Sequence, residues 1–403
     1  MKQATFHLPA PARNQNIPAA LVQGLYWAMI AAYFGFNNAY LLASGYSDVQ
    51  VGWISTIMYL TLSVAGPLTG YITDVIMPAR KFSILCCFIS IPFMLLMPVA
   101  IKSFVAIIFM TIAVSLTQYL LSGIIDAWIM RVHEEDSRLS YPITRCAGSA
   151  CYALACWLIG IAISHLGYNF AFIANVVFSI ATAAVMLYLK NIGCPGRNNT
   201  VSKEEKISFG RALKELCKNP AYIIYIIAMA LFLYGMRLTL VYQPSLIFAA
   251  GGTETHVGAA GAIAAIFEIP FIMMMAKAEK FAKPGVCVIA MFLGACKGLT
   301  MLLFPYVGAY IGAQVFQSIS YGFQIAFSLF YIQKVTPPKL YSTAVMLYTT
   351  VNIGVACMLA SLTGGYMFEA SPKLLLTVSA VSMLASAAVF SCTFLIKKKV
   401  VED

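Results

Sequence analysis

The stretch FVAIIFMTIAVSLTQYLLSGIIDAWIMR, residues 104–131, decides the fold because it is long, almost wholly apolar and carries one acid, Asp126. A membrane-spanning helix needs about 20 apolar residues, and this stretch exceeds that length. A carboxylate at the bilayer centre costs about 2.5 to 3.5 kcal/mol on insertion scales, so it needs a partner or water beside it. The stretch therefore predicts a membrane helix with one polar face.

Similar apolar runs recur along the whole chain. We predict twelve spans, numbered here from span one to span twelve: 20–42, 50–74, 82–101, 104–131, 142–164, 168–189, 221–249, 257–276, 284–304, 307–333, 341–367 and 373–396. Of the 403 residues, 61% are hydrophobic and 10% are charged, whereas about a quarter of the residues in soluble domains are charged. We expect an all-α membrane protein with twelve transmembrane helices.

The net charge of +11 is explained by membrane topology and not by nucleic-acid binding. Lys and Arg mark the cytoplasmic ends of membrane helices, and the basic residues concentrate in alternate loops, which predicts cytoplasmic N- and C-termini. Apart from Arg131 and Lys373 at the ends of their spans, only Arg145, Arg237 and Lys297 fall within spans. The 11 cysteines have no ligand spacing, so we expect no metal, no cofactor and no disulfide framework.

A polar segment between spans six and seven divides the chain. We predict an N-terminal six-helix bundle over 1–190, a cytoplasmic linker over 191–219 with a short amphipathic helix at Phe209–Lys218, and a C-terminal six-helix bundle over 220–403. GSACYALA from Gly148 and GVACMLAS from Gly354 share a pattern six spans apart. Such a repeat is typical of transporters built from two related bundles.

Polar residues at helical spacing form stripes on four spans. They are Gln23, Tyr26, Tyr33 and Asn37 in span one; Thr111, Ser115, Gln118, Ser122 and Asp126 in span four; Tyr234, Arg237 and Thr239 in span seven; and Gln314, Gln317, Tyr321, Gln324 and Ser328 in span ten. Such stripes either join helices by hydrogen bonds in a dry interior or line a water-filled path. Because they recur every third span, we expect a central cavity, with Asn37, Gln118, Gln317 and Gln324 as binding residues.

Ionisable residues inside the spans are candidates for a substrate or proton path. Asp126 and Arg145 lie at similar depth, and either pair in the cavity or end their helices in the headgroup layer. Glu268 is far from both ends of its span, and burial favours the protonated form of a carboxyl group, so we expect it to bind and release a proton. Arg237 and Lys297 either take part in coupling or neutralise the acids. Three bases against two acids leave one positive charge, which suits an anionic solute.

The chain resembles the major facilitator superfamily across its twelve spans. GYITDVIMPARK, between spans two and three, is similar to the superfamily signature G-x-x-x-D-x-x-G-R-[RK], with Gly70, Asp74, Arg80 and Lys81 at its positions. The gap between the acid and the basic pair is two residues longer here, and the second glycine is missing. The resemblance implies that these residues gate the transporter through a charge contact that breaks and reforms.

Within the superfamily, the sequence resembles the lactose-permease-like symporters and the phenylpropionate-permease-like group. IIDAWIMR places Asp126 at the sugar-binding acid, and TRCAGSACY places Arg145 at its partner and Tyr152 at the aromatic residue that stacks on the sugar. FEIP places Glu268 at a second substrate-contacting acid, and Lys297 stands near a basic residue of span nine. These roles are implied by the resemblance.

Span ten departs from this group, because Ser320 and Gln324 stand around the positions of its proton-coupling His and Glu. Coupling then rests on Glu268 or Asp126, on another ion, or is absent, as in a uniporter. No phosphate-binding G-x-x-x-x-G-K-[ST] loop occurs. We expect a monomeric secondary active transporter in the cell membrane that imports a sugar, glycoside or organic anion with a proton. Its partners are then the solute, the proton and membrane lipid, and the alternative is a proton-coupled exporter of drugs or sugars. An enzyme would need a catalytic constellation that we do not find.

Overall fold

The protein is a bundle of long helices that run back and forth through one layer. The computed structural model describes residues 14–136, 138–194, 209–274 and 283–394, and no strand occurs in these ranges. Eleven helical segments are long and apolar enough to cross a membrane: Asn16–Ala43, Asp48–Ile76, Ala79–Ala100, Phe104–Glu135, Tyr141–Leu166, Asn169–Met186, Pro220–Val241, Glu254–Met273, Pro284–Leu303, Thr343–Ala370 and Pro372–Phe394. These are spans one to nine, eleven and twelve.

Span ten is the helix Gln314–Val335, preceded by the short helix Val307–Gly312. It is long enough to cross a membrane, but Gln and Ser side chains along its buried face lower its mean hydropathy. With it the all-α membrane fold predicted from the sequence is confirmed. The helix Phe209–Cys217 is strongly amphipathic and precedes span seven, as predicted.

Local sequence explains where several spans begin and end. Ser47 and Gln50 form a capping box that starts span two. The Asn219 side chain caps span seven, with Pro220 in its first turn. Span five ends at Gly167, whose φ of +78° lies in the left-handed region that glycine tolerates best. Gly, Pro, Ser and Asn therefore set the helix boundaries, while the apolar runs supply the helices.

Spans two, four and eleven contain π-helical segments, at Ile72–Ile76, Ser115–Tyr119 and Thr349–Ala356. Each adds a residue to a turn and shifts the following side chains around the helix axis. The segment in span four lies between the apolar start of the helix and its polar second half. The face shown by Gln118 therefore differs from the face that uniform helical spacing predicts.

The first six spans meet the last six through two close helix pairs, span five with span eight and span two with span eleven. Small residues allow the approach, as is usual between membrane helices. A Cβ added to Gly258 would lie 2.3 Å from the Cys156 carbonyl oxygen, and one added to Gly365 would lie 2.7 Å from the Asp48 carbonyl oxygen. Both contacts lie at one end of the bundle, which we name the Asp48 end. The opposite end is the Asp74 end.

Hydrogen bonds between the two sets of spans also concentrate at the Asp48 end. Ser245 donates to the Asp48 carboxylate, and the Val49 amide donates to Glu369 at 3.2 Å. At the same end, Tyr168 at the start of span six donates to Glu254 at the start of span eight, at 3.1 Å. These contacts close the Asp48 end of the molecule.

Candidate functional site

A cavity of about 340 Å³ lies between the first six and last six spans. Its volume falls in the range of about 300 to 1,000 Å³ that is typical of small-molecule sites. It is lined by residues from both sets of spans, including six that the sequence predicted: Asn37, Arg145, Tyr152, Arg237, Glu268 and Gln317. The structure thus brings together at one cavity residues that are up to 280 positions apart in the sequence.

Arg145 is the central charged group on the span-five side of the cavity. Its guanidinium carbon lies 4.3 Å from the centroid of the Trp27 ring, within the range of a cation–π contact. It also interacts electrostatically with both Asp126 of span four and Glu268 of span eight. One arginine therefore lies near two acids, one from each set of spans.

Asp126 lies outside the cavity lining. Its carboxylate accepts a hydrogen bond of 2.6 Å from Gln23 Nε2, and Gln23 Oε1 accepts one of 3.0 Å from Trp27 Nε1. Among the described residues Asp126 forms no ion pair, so the direct Asp126–Arg145 contact envisaged from the sequence is replaced by this chain. Asp126 thereby fixes the indole against which Arg145 packs.

Aromatic residues form the walls on this side of the cavity. Trp27 and Tyr152 meet edge to face with ring centroids 6.1 Å apart. A Cβ on Gly148 would lie 2.7 Å from Trp27 Cδ1, so glycine at this position allows the indole to approach span five. Flat aromatic rings beside a carboxylate and a guanidinium suit a solute that has an apolar face and groups that both donate and accept hydrogen bonds.

Arg237 is the charged group on the span-seven side. Its Nη1 donates to the Tyr59 hydroxyl at 3.2 Å, and its guanidinium carbon lies 5.5 Å from the centroid of that ring. Lys297 is 1% exposed and lies behind the wall, where it donates to Gln317. Lys297 therefore holds the lining residue Gln317 in place. Its part in proton coupling stays a prediction.

Gln118 and Gln324 lie away from the cavity, in contrast to the prediction from their stripes. Gln118 donates to Asn175 at 2.8 Å and to Ser90 at 3.0 Å, which ties span four to spans six and three. Gln324 is buried against Cys287 of span nine. Tyr119 and Tyr321 line the cavity from the same two spans. Gln118 and Gln324 thus join helices, as in the alternative considered above, while Gln317 and Tyr321 of the span-ten stripe line the cavity.

The signature loop at the Asp74 end has a different charge contact from the one expected. Asp74 pairs with Arg131 of span four at 2.7 Å. Arg80 Nη1 instead lies 3.5 Å from the Leu187 carbonyl oxygen, and Lys81 is exposed. Gly70 has open space around its Cα. The physical reason is that Asp74 lies in the π-helical turn that ends span two and faces span four, whereas Arg80 begins span three beside span six.

Trp27 and Tyr59 are among the lining residues that the sequence did not indicate. Trp27 lies four positions after Gln23, on the face of the span-one stripe, but its large apolar ring did not mark it as polar. Tyr59 lies in a run of apolar residues, and no spacing pattern points to it. Its role follows only from its position beneath Arg237.

The sequence matches the MFS_1 like family over residues 21–378. It is 24% identical over 377 residues to the maltose permease of Geobacillus stearothermophilus, covering 91% of this chain and 90% of that protein. The crystal structure of the nucleoside transporter NupG is similar over 96% of this chain and 100% of that one, with a TM-score of 0.74 at 15% identity. A bacterial homologue of the human lysosomal transporter Spinster, in an inward-facing and unoccupied conformation, is similar with a TM-score of 0.63 at 14% identity, over 93% of this chain and 94% of that one.

The family match covers most of the chain, and the fold is that of solved transporters along nearly its full length. The cavity between the two sets of spans fits the same conclusion. The chain belongs to the MFS_1 like family and is a multi-pass membrane transporter of the major facilitator superfamily, not an enzyme.

Proposed function

We propose that this transporter imports a sugar or glycoside together with a proton by alternating access. The observation that carries the proposal is the cluster of Arg145, Glu268, Trp27 and Tyr152 on one side of the central cavity. A carboxylate accepts hydrogen bonds from sugar hydroxyls, and a guanidinium donates hydrogen bonds to them. The aromatic rings offer an apolar face to the ring carbons. The name of the maltose permease relative supports a sugar as the solute.

Glu268 is the group that we assign to proton coupling. It lines the cavity at span eight and interacts with Arg145, so protonation of Glu268 changes the charge that this arginine meets. A neutral Glu268 leaves Arg145 with Asp126 alone, and an ionised Glu268 binds it from the second set of spans. The two protonation states of Glu268 thus make different contacts across the cavity. A coupled transporter needs such a difference, because it lets the proton bias the conformational equilibrium.

Topology and organisation remain part of the proposal. We assign both termini, the Asp74 end and the linker 191–219 to the cytoplasmic side, with 1–190 and 220–403 as the two bundles that rock against each other. The monomer is proposed as the working unit, since one chain contributes every lining residue of the cavity.

Uptake of radiolabelled maltose and of methyl α- and β-glucosides into vesicles, with and without an imposed pH gradient, tests the proposal. Right-side-out vesicles are expected to accumulate at least one of these sugars when the outside is acidic, and vesicles from cells without the protein serve as the control. Accumulation in inverted vesicles driven by inside acidity would indicate a proton antiporter that exports the solute. Equilibration without any response to pH would remove the proton from the mechanism.

A further inference from the structure

The charges that surround the cavity are unevenly partnered. Asp126 and Glu268 interact with Arg145, while Arg237 has no carboxylate partner among the described residues. Ion pairs within the described ranges occur elsewhere, at Arg131–Asp74, Arg138–Asp136 and Lys190–Glu135. The span-seven side of the cavity is therefore cationic, and the acids lie on the span-five side.

Arg237 also has unused hydrogen-bonding capacity. Within the part of the chain that the structure describes, the Arg237 Nε is buried and has no hydrogen-bond partner. Its guanidinium contacts the Tyr59 hydroxyl and ring and the Cys357 thiol. A guanidinium has five N–H donors in a planar fork, and a buried donor that makes no hydrogen bond costs about 1–3 kcal/mol. Arg237 lines the cavity, and part of its donor set is left without a partner there.

A second buried cation lies close to this side. Lys297 is buried and interacts electrostatically with Arg237, and its ammonium group donates to Gln317, a neutral lining residue. Two cations near each other repel, and a buried charge without a counter-ion is unfavourable. An anion in the cavity beside Arg237 removes both costs at once, whereas a neutral solute leaves them in place.

We propose that the solute is an acidic sugar or glycoside whose single carboxylate is bound by Arg237. The sugar ring then lies toward Trp27, Tyr152 and Arg145, and the carboxylate lies toward Arg237 and Tyr59. A carboxylate is the preferred chemistry because its two oxygens match the planar guanidinium fork, with Nε among the donors. This inference rests on the proposed glycoside transport and adds the charge of the substrate to it.

Matched sugar pairs test the inference on the purified full-length protein. The probes are methyl glucosides and methyl galactosides, in both anomers, each paired with the uronoside that has a carboxylate in place of the C6 hydroxymethyl group. Binding is measured by isothermal titration calorimetry. In at least one pair the uronoside is expected to bind about 10- to 100-fold more tightly, as hydrogen bonds to a charged group provide.

Three variants assign that preference to Arg237. Arg237→Gln is expected to abolish the preference for the uronoside. Arg237→Lys is expected to keep less than half of the difference in binding free energy between uronoside and glycoside, because the charge stays but the planar fork is lost. Arg211→Gln, which removes an exposed arginine from the surface helix, is the matched control and is expected to retain the full preference.

The possible outcomes separate the inference from the function on which it rests. Equal binding of both members of every pair, or a preference that survives Arg237→Gln, overturns the inference and leaves glycoside transport standing. Binding of neither member in any pair overturns the proposed glycoside function, and the inference falls with it.

Discussion

Replacing Gly258 by alanine is expected to open the Asp48 end of the transporter. The new Cβ would lie 2.3 Å from the Cys156 carbonyl oxygen and 3.1 Å from the Gly160 Cα. The first distance is more than 1 Å shorter than the roughly 3.5 Å that non-bonded atoms prefer, and the opposing atoms are backbone that moves only with the helix. Overpacking of this kind costs about 1–3 kcal/mol. It penalises only the state in which spans five and eight meet here, so the equilibrium shifts toward the opposite state by about 5- to 150-fold.

Cysteine labelling measures this shift. Ser149 lines the cavity, and a Ser149→Cys variant labelled by a membrane-impermeant maleimide from the Asp48 side reports how often that end is open. The labelling rate of Ser149→Cys, after subtraction of the rate of the parent protein that keeps Ser149, is expected to rise about 5- to 150-fold when Gly258→Ala is added. Transport is expected to slow, because each cycle requires this end to close.

Gly123→Ala is the matched control, because a Cβ at Gly123 of span four meets nothing within 4 Å. It is expected to leave labelling and transport unchanged. An unchanged labelling rate in Gly258→Ala would refute the reasoning that close packing of these two helices holds the Asp48 end shut.

Three further substitutions test individual parts of the site. Asp126→Asn is expected to weaken glycoside binding at least about tenfold, since hydrogen bonds to a charged group are worth about 1.5–3 kcal/mol and the carboxylate fixes Gln23 and Trp27; unchanged calorimetric affinity would contradict this. Glu268→Gln is expected to abolish accumulation driven by a pH gradient while solute exchange across vesicles continues, and normal acid-driven accumulation would count against the coupling role. Asp74→Asn removes the partly exposed pair with Arg131, for which about 1 kcal/mol is an upper bound, so transport rates are expected to change by less than about fivefold; complete loss of transport would assign this contact an essential role.

The fold could be predicted from the sequence because it follows from one local property, the length of the apolar runs. Apolar runs of membrane length predict helices without reference to neighbours, and the observed first span, Asn16–Ala43, differs from the predicted 20–42 by a few residues at its start. Span ten was also found, although its glutamines and serines make it less hydrophobic than the others. A charge within such a run is costly, which is why the sequence singles out Arg145, Arg237 and Glu268, and all three line the cavity.

The details of the site could not be predicted, because they depend on how each helix is rotated. A stripe gives the polar face but not the neighbour that it meets, so Gln118 turned out to join span six and not to line the cavity. Asp126 and Arg145 were recognised as neighbours, but Gln23 and Trp27 between them were not, since an intervening partner leaves no spacing signal. Tyr59 escaped notice for the same reason, as a cation–π contact between distant spans has no local pattern.

The central claim is that solute crosses the membrane only when the two ends of this cavity open in turn. Ser164 and Thr255 have hydroxyl oxygens 2.9 Å apart at the Asp48 end, so cysteines at both positions are close enough for a disulfide of about 2.05 Å. Oxidation of the Ser164→Cys/Thr255→Cys protein in proteoliposomes is expected to stop transport and reduction to restore it. The proteins that carry only one of the two substitutions are expected to be unaffected by the oxidant. Full transport by a completely cross-linked protein would contradict the account.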